Sequence, residues 1–129
     1  MKIGYNGQEL AELSDLVGMT MTRVETGEGA DQAVFTSDTG RVFKLYHQQD
    51  FCESVYVESV VGDLSDLVGL PITMADETWG SMEVEDGTGT WTFYKFATAK
   101  GFVDIRWVGE SNGYYSEGVD FEEVIDASN

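Results

Sequence analysis

The sequence predicts a β-rich α+β fold: one domain over 1–129, made of two tandem copies of a small unit packed as antiparallel sheets. Three observations carry this. The hexapeptide LSDLVG occurs at 13–18 and again at 64–69. Two further echoes follow in the same order, Phe35–Val42 with Phe96–Val103 and Glu53–Glu58 with Glu117–Glu122, so the offset grows from 51 to 61 to 64. An ordered, widening offset is what a duplicated unit with later insertions leaves behind, and it sets the repeats at 13–62 and 64–124. Finally, apolar and polar residues alternate between Gly-containing turns, which is the pattern of half-buried strands.

Along the chain, Leu10, Leu13, Leu16 and Val17 recur at helical spacing in QELAELSDLV, so a short amphipathic helix is expected over 8–17. Gly18 ends it, tolerating positive φ. In the second copy Asp63 caps a single turn through Leu67, Gly69 closes it and Pro71 blocks continuation. Extended segments follow each turn at 20–26 and 72–78. EGA (28–30) and EDGTGT (85–90) read as turns. Ala33–Thr36 and Arg41–His47 flank Ser-Asp-Thr-Gly, and Thr90–Thr98 and Phe102–Val108 flank Ala-Lys-Gly. Both read as β-hairpins. Val103, Ile105 and Trp107 alternate with Asp104 and Arg106, marking one buried face. Val55 and Val57 match Val119 and Phe121 in the last strand of each unit. The tail from Asp126 is expected to fray.

Charge excludes more than it identifies. Against 24 Asp and Glu stand 7 Lys and Arg, a formal net charge of −17. The acidity is spread, with four basic against ten acidic residues up to Gly62 and three against fourteen after it. Such a field repels nucleic acid and anionic membranes and attracts basic partners or cations. Direct nucleic-acid binding and membrane association are therefore not expected. One Cys precludes an internal disulfide, the first residues lack a signal-peptide core and no apolar run is long enough to span a bilayer, so a cytoplasmic location is expected.

Chemistry concentrates in two polar loops at matching positions of the repeats, 46–54 and 107–117. Aromatic planes beside amides, hydroxyls and carboxylates suit a flat polar ligand such as a nucleobase. Tyr46, Phe51, Trp107, Tyr114 and Tyr115 are the stacking candidates, and His47, Glu53, Arg106, Asn112 and Glu117 the polar readers. The competing reading is that the aromatics pin the loops to the core. Glu53 and Glu117 would brace loop N–H groups or face each other as a carboxylate pair. Arg106 is the candidate anchor for a ligand phosphate, with a surface salt bridge as its alternative. One His and one Cys cannot complete a zinc site, so no metal or other cofactor is expected. Dinucleotide-fingerprint, P-loop, HExxH and EF-hand patterns are absent.

The strings YHQQDFCESVYVESVVGDLSDLVG and TWTFYKFATAKGFVDIRWVGESNGYYSEGVDFEEV resemble a family of small proteins carried by tailed bacteriophages, over Leu13 to Val124. The resemblance implies a non-structural protein acting inside the bacterial host and brings no catalytic residues. The expected function is non-enzymatic sequestration of a small nucleotide-like immune signal between the two loops. Its alternatives are an acidic, DNA-mimic-like decoy for a basic host protein, and a small hydrolase using Glu53, Glu117 or His47. Self-association stays open.

Overall fold

The computed structural model describes residues 2–3, 9–47, 53–84, 87–111 and 118–124, with the side chains of 2, 3, 9, 82–84, 87 and 88 left aside. Ten strands and two 3₁₀ turns follow one another: β1 (Lys2–Ile3), β2 (Glu9–Leu10), a first turn (Leu13–Leu16), β3 (Met21–Glu25), β4 (Gln32–Ser37), β5 (Val42–Tyr46), β6 (Ser54–Val61), a second turn (Leu64–Leu67), β7 (Met74–Val84), β8 (Gly87–Thr98), β9 (Gly101–Ser111) and β10 (Asp120–Val124). Apart from the β1–β2 pair, the strands form two antiparallel four-stranded sheets, ordered β10-β5-β4-β3 and β6-β9-β8-β7.

That topology is a duplication with an exchange. Each unit reads 3₁₀ turn, then four strands, and its first three strands form a meander. Its fourth strand leaves to pair with the third strand of the other unit, β6 on β9 and β10 on β5. The exchange makes one core out of two repeats. Alternation in β4 and β5 sends Ala33, Phe35, Phe43 and Leu45 inward, where they meet Tyr94, Phe96, Val103, Ile105 and Trp107 from the facing sheet. Equivalent residues Phe35 and Phe96 touch, ring centroids 4.9 Å apart and tilted by 52°. The turns plug the open sides with Leu16 and Leu67, both fully buried. Reciprocal hydrogen bonds lock them: Gly18 N–H donates to Ile72 O (2.8 Å) and Gly69 N–H to Met21 O (2.9 Å). The exchanged strand β10 is also tied by Arg41, whose Nε and Nη2 each donate to Glu123 at 2.9 Å.

Two local expectations are corrected. Residues 8–17 do not form a helix: Glu9–Leu10 is a strand, and only Leu13–Leu16 turns. Ala11 stays extended because its N–H donates to Phe121 O (2.9 Å), and the turn starts at Glu12, whose N–H donates to Asp15 Oδ2 (3.2 Å). One tertiary bond and an early cap outweigh the propensity of four spaced apolar residues. Of the span 85–90, read as a turn, residues 87–90 are strand, since β7 and β8 pair from Met74↔Ala97 as far as Val84↔Gly87, and 85–86 lie outside the described residues. The second-copy turn does form as expected, with Asp63 Oδ1 accepting from Ser65 N–H (2.9 Å) and Gly69 at φ 90°. Among the described residues no helix is long and apolar enough to cross a membrane.

Gly62 joins the two units at φ 108°, and a Cβ there would lie 2.7 Å from the Phe102 carbonyl oxygen. Gly62→Ala is expected to cost about 2–3 kcal/mol through backbone strain and this clash. A shifted urea midpoint at unchanged slope checks it.

Candidate functional site

Both polar loops cross from one sheet to the other, after β5 and after β9, and they leave from the same end of the sandwich, because Tyr46 pairs with Asp120 and Ser54 with Glu110. Their stems are joined by His47. Its Nδ1–H donates to the Gly118 carbonyl (2.7 Å), an oxygen that can only accept, and its Nε2 shares a proton with Glu53 Oε2 at 2.8 Å. The side chains are 4% and 0% exposed. His47 and Glu53 are therefore spent on each other and on the backbone, as a brace. Trp107 is fully buried, between Thr92 and Val57 in register, so its ring belongs to the core and not to an open stacking face. Its Nε1 has no hydrogen-bond partner among the described residues. Tyr46 is half-buried, with Lys44 Nζ 4.4 Å from its ring centre. Phe51, Asn112, Tyr114, Tyr115 and Glu117 lie outside the described residues. Arg106 alone of the described candidates faces away, on the outer side of the second sheet.

That outer face holds the features the sequence did not single out. Rows run straight across the strands: Asp76, Lys95 and Asp104 in one, Thr78, Phe93, Arg106 and Ser59 in the next. Asp76, Thr78, Phe93, Lys95, Asp104 and Arg106 line a groove of about 320 Å³. Phe93 is 37% exposed and lies nearly parallel to Trp91, centroids 6.2 Å apart at 8°. Together the two rings form an aromatic ledge beside Arg106.

Cations in so acidic a chain normally find carboxylates. Arg23 meets Glu25 at 3.4 Å, Arg41 meets Glu123 at 2.9 Å and Lys44 lies 3.9 Å from Glu122. Lys100 Nζ donates to Val68 O at 2.6 Å, and Lys95 Nζ stands 4.8 Å over the Phe102 ring. Among the described side chains Arg106 has none of these: no ion pair, hydrogen bond or ring contact. It is the one guanidinium left open.

A family model described as a domain of unknown function, DUF7448, matches residues 14–121. The chain belongs to the DUF7448 family. The match runs from the first 3₁₀ turn into β10, so it takes in both repeats and every strand of the outer groove. A 68-residue stretch is also 34% identical to the human (Homo sapiens) putative heat shock protein HSP 90-beta 2, covering 53% of this chain and 18% of that protein. This DUF7448 chain thus spans less than a fifth of that relative. No solved structure matches it.

A second groove, of about 270 Å³, opens on the inner face where β7 and β8 overhang the first sheet, lined by Glu77, Trp79, Thr90, Thr92, Gly118 and Val119. Tyr94 O–H donates to Glu77 Oε2 there (2.6 Å), and burial followed by this bond pushes the phenol pKa far up. No group of three His, Cys, Asp or Glu placed to hold a metal occurs among the described residues.

The missed signal in this DUF7448 chain was parity. In TWTFYKFAT both faces of β8 carry aromatic residues, Trp91 and Phe93 outside, Tyr94 and Phe96 inside. Alternation alone cannot say which set is the core. Only the pairing of Phe96 with Phe35 decides it.

Proposed function

We propose that this DUF7448 domain is a non-enzymatic binding protein that holds a small nucleotide-like anion on the outer face of its second sheet. The base lies against Phe93 and Trp91, and the anionic group meets Arg106. The observation that carries this reading is the open guanidinium of Arg106 beside an exposed aromatic ledge, in a chain of net charge −17. An overall negative field repels anions, so an anion is held only where local cations offset it. Arg106 and Lys95 do so, while Asp76 and Asp104 cancel them in sum, which disfavours a highly charged ligand and supplies acceptors for base amino or ribose hydroxyl groups. A cyclic or diester-linked nucleotide, with one charge per phosphate, fits better than a triphosphate. In the phage setting that the resemblance implies, the ligand is a host nucleotide signal, the site is the host cytoplasm, and the protein acts by sequestration.

Calorimetric and thermal-shift titrations with cyclic AMP, cyclic GMP and ATP test this. The expected result is stabilisation by the cyclic nucleotides, about 2.7 kcal/mol at a hundredfold excess over Kd, with ATP weaker and the ligand recovered unchanged. Arg106→Ala and Phe93→Ala are each expected to weaken binding at least tenfold. Equal binding by wild type and Arg106→Ala, or no shift with any of the three, rejects the reading. Conversion of the ligand would favour the hydrolase.

A further inference from the structure

A sheet ends in edges, and an open edge is a row of unpaired N–H and C=O groups that folded proteins usually cover or blunt. Of the four edges of the two large sheets, three are engaged along the strand by the chain's own backbone, each at one or two residues. On β6, Val57 N–H donates to Ala30 O (2.7 Å) and Val57 O accepts from Gly29 N–H (2.8 Å). On β10, Phe121 O accepts from Ala11 N–H (2.9 Å). On β3, Met21 O accepts from Gly69 N–H (2.9 Å), and Thr20 bridges to Pro71.

The fourth edge differs. β7 is the repeat equivalent of β3, but it runs eleven residues against five. The first 3₁₀ turn packs against its N-terminal part, but the backbone hydrogen bonds from that side stop at Ile72, which exchanges them with Gly18 and Met19. From Met74 to Val84 no backbone group of the described residues pairs with the outer edge. MADETWGSMEV holds no Lys, Arg or Pro, so the charges that guard this edge are all carboxylates, which repel acidic strands and not basic ones.

Its chemistry selects an occupant. Asp76 and Glu77 are neighbours, so they stand on opposite faces of the strand. Trp79 shares the Glu77 face and is 71% exposed, the most exposed large hydrophobic side chain described. A strand laid along β7 would meet a carboxylate on each face and an open indole on one. We propose that the outer edge of β7 accepts an extended basic segment of a partner protein, which adds to the sheet as a fifth strand. Main-chain hydrogen bonds supply the affinity; a pair of adjacent Lys or Arg residues, one toward Asp76 and one toward Glu77 and the Trp79 ring, supplies the choice of sequence. A second copy of this chain fits poorly, because it would bring three carboxylates of its own and a further net charge of −17 to the same edge. This inference does not rest on the nucleotide reading: Glu77, Trp79 and the backbone of the β7 edge lie outside that groove, and only Asp76 is common to both.

The test uses the full chain and a capped, fluorophore-labelled eight-residue peptide of alternating Thr and Val with Lys-Arg at its centre. A second peptide is N-methylated at its four central residues, which keeps charge and side chains but removes the donors. Anisotropy titrations are expected to show binding of the first and at least tenfold weaker binding of the second. Glu77→Gln, which still accepts from Tyr94, and Trp79→Ala should each weaken the first by threefold or more. Equal binding of the two peptides would reduce the interaction to charge alone and overturn the proposal. So would binding of neither, or a sedimenting dimer whose formation is lost with Trp79→Ala.

Discussion

His47→Ala lowers the unfolding free energy by about 3–5 kcal/mol, the largest single-site loss expected outside the core. The ring makes two hydrogen bonds, 2.7 Å to Gly118 O and 2.8 Å to Glu53, in a place where the His47 and Glu53 side chains are 4% and 0% exposed. Removing it takes a hydrogen-bond partner from a fully buried carboxyl and unties the stems of both inter-sheet crossings. Glu53→Ala should cost a similar amount by the converse route. The double substitution should cost less than the two singles added, with a coupling of about 0.5–3 kcal/mol, because the two singles each lose the same His47–Glu53 contact. Urea unfolding of the four proteins measures this. Additive losses, or a His47→Ala cost below about 1 kcal/mol, would show that the pair does not brace the crossings.

The pairing of these two residues shows where sequence reading reaches and where it stops. Matching loops at matching repeat positions were legible from the echoes, and with them the expectation that the loops belong together. The purpose of each side chain was not. A lone His and a Glu six residues on suggest a polar reader as readily as a brace, and only the exchange of β6 and β10 between sheets buries them against each other. Trp107 is a sharper case. Read from sequence, it and Arg106 serve one ligand, although their alternation sets them on opposite faces; burial assigns Trp107 to the core and leaves Arg106 outside.

Some of the fold was legible for the same reason that some was not. LSDLVG appears twice because it performs one task twice, turning the chain so that Leu16 and Leu67 close opposite sides of the core. The residues before the first copy lack that context, and their helical spacing yields to a strand contact with β10. The hairpins illustrate a finer limit. Aligning Gly40 with Gly101 sets Val42 against Val103, yet Phe35 pairs with Phe43 and Phe96 with Val103. The first turn is one residue longer, so Phe43 is the structural equivalent of Val103. A one-residue difference inverts which side chains face inward, and no echo at the level of identity reveals it.

Phe35 and Phe96 then carry the strongest test of the duplicated architecture. Both are fully buried, they occupy equivalent positions on β4 and β8, and their rings meet across the two sheets at 4.9 Å. Each substitution to Ala removes a whole ring from a closed core, for which about 3–5 kcal/mol is expected. Because the same contact is lost either way, the two singles should be close in cost. The double should fall short of their sum by about 0.5–1.5 kcal/mol, the usual share of an aromatic pair. Phe35 lies in the sheet completed by β10 and Phe96 in the sheet completed by β6, so neither unit can loosen without the other. Unfolding should accordingly remain a single transition in every variant, followed alike by Trp fluorescence and far-UV circular dichroism. Two separable transitions, or a Phe96→Ala cost several-fold above that of Phe35→Ala, would mean that the second sheet holds a core of its own and that the strand exchange does not couple the repeats.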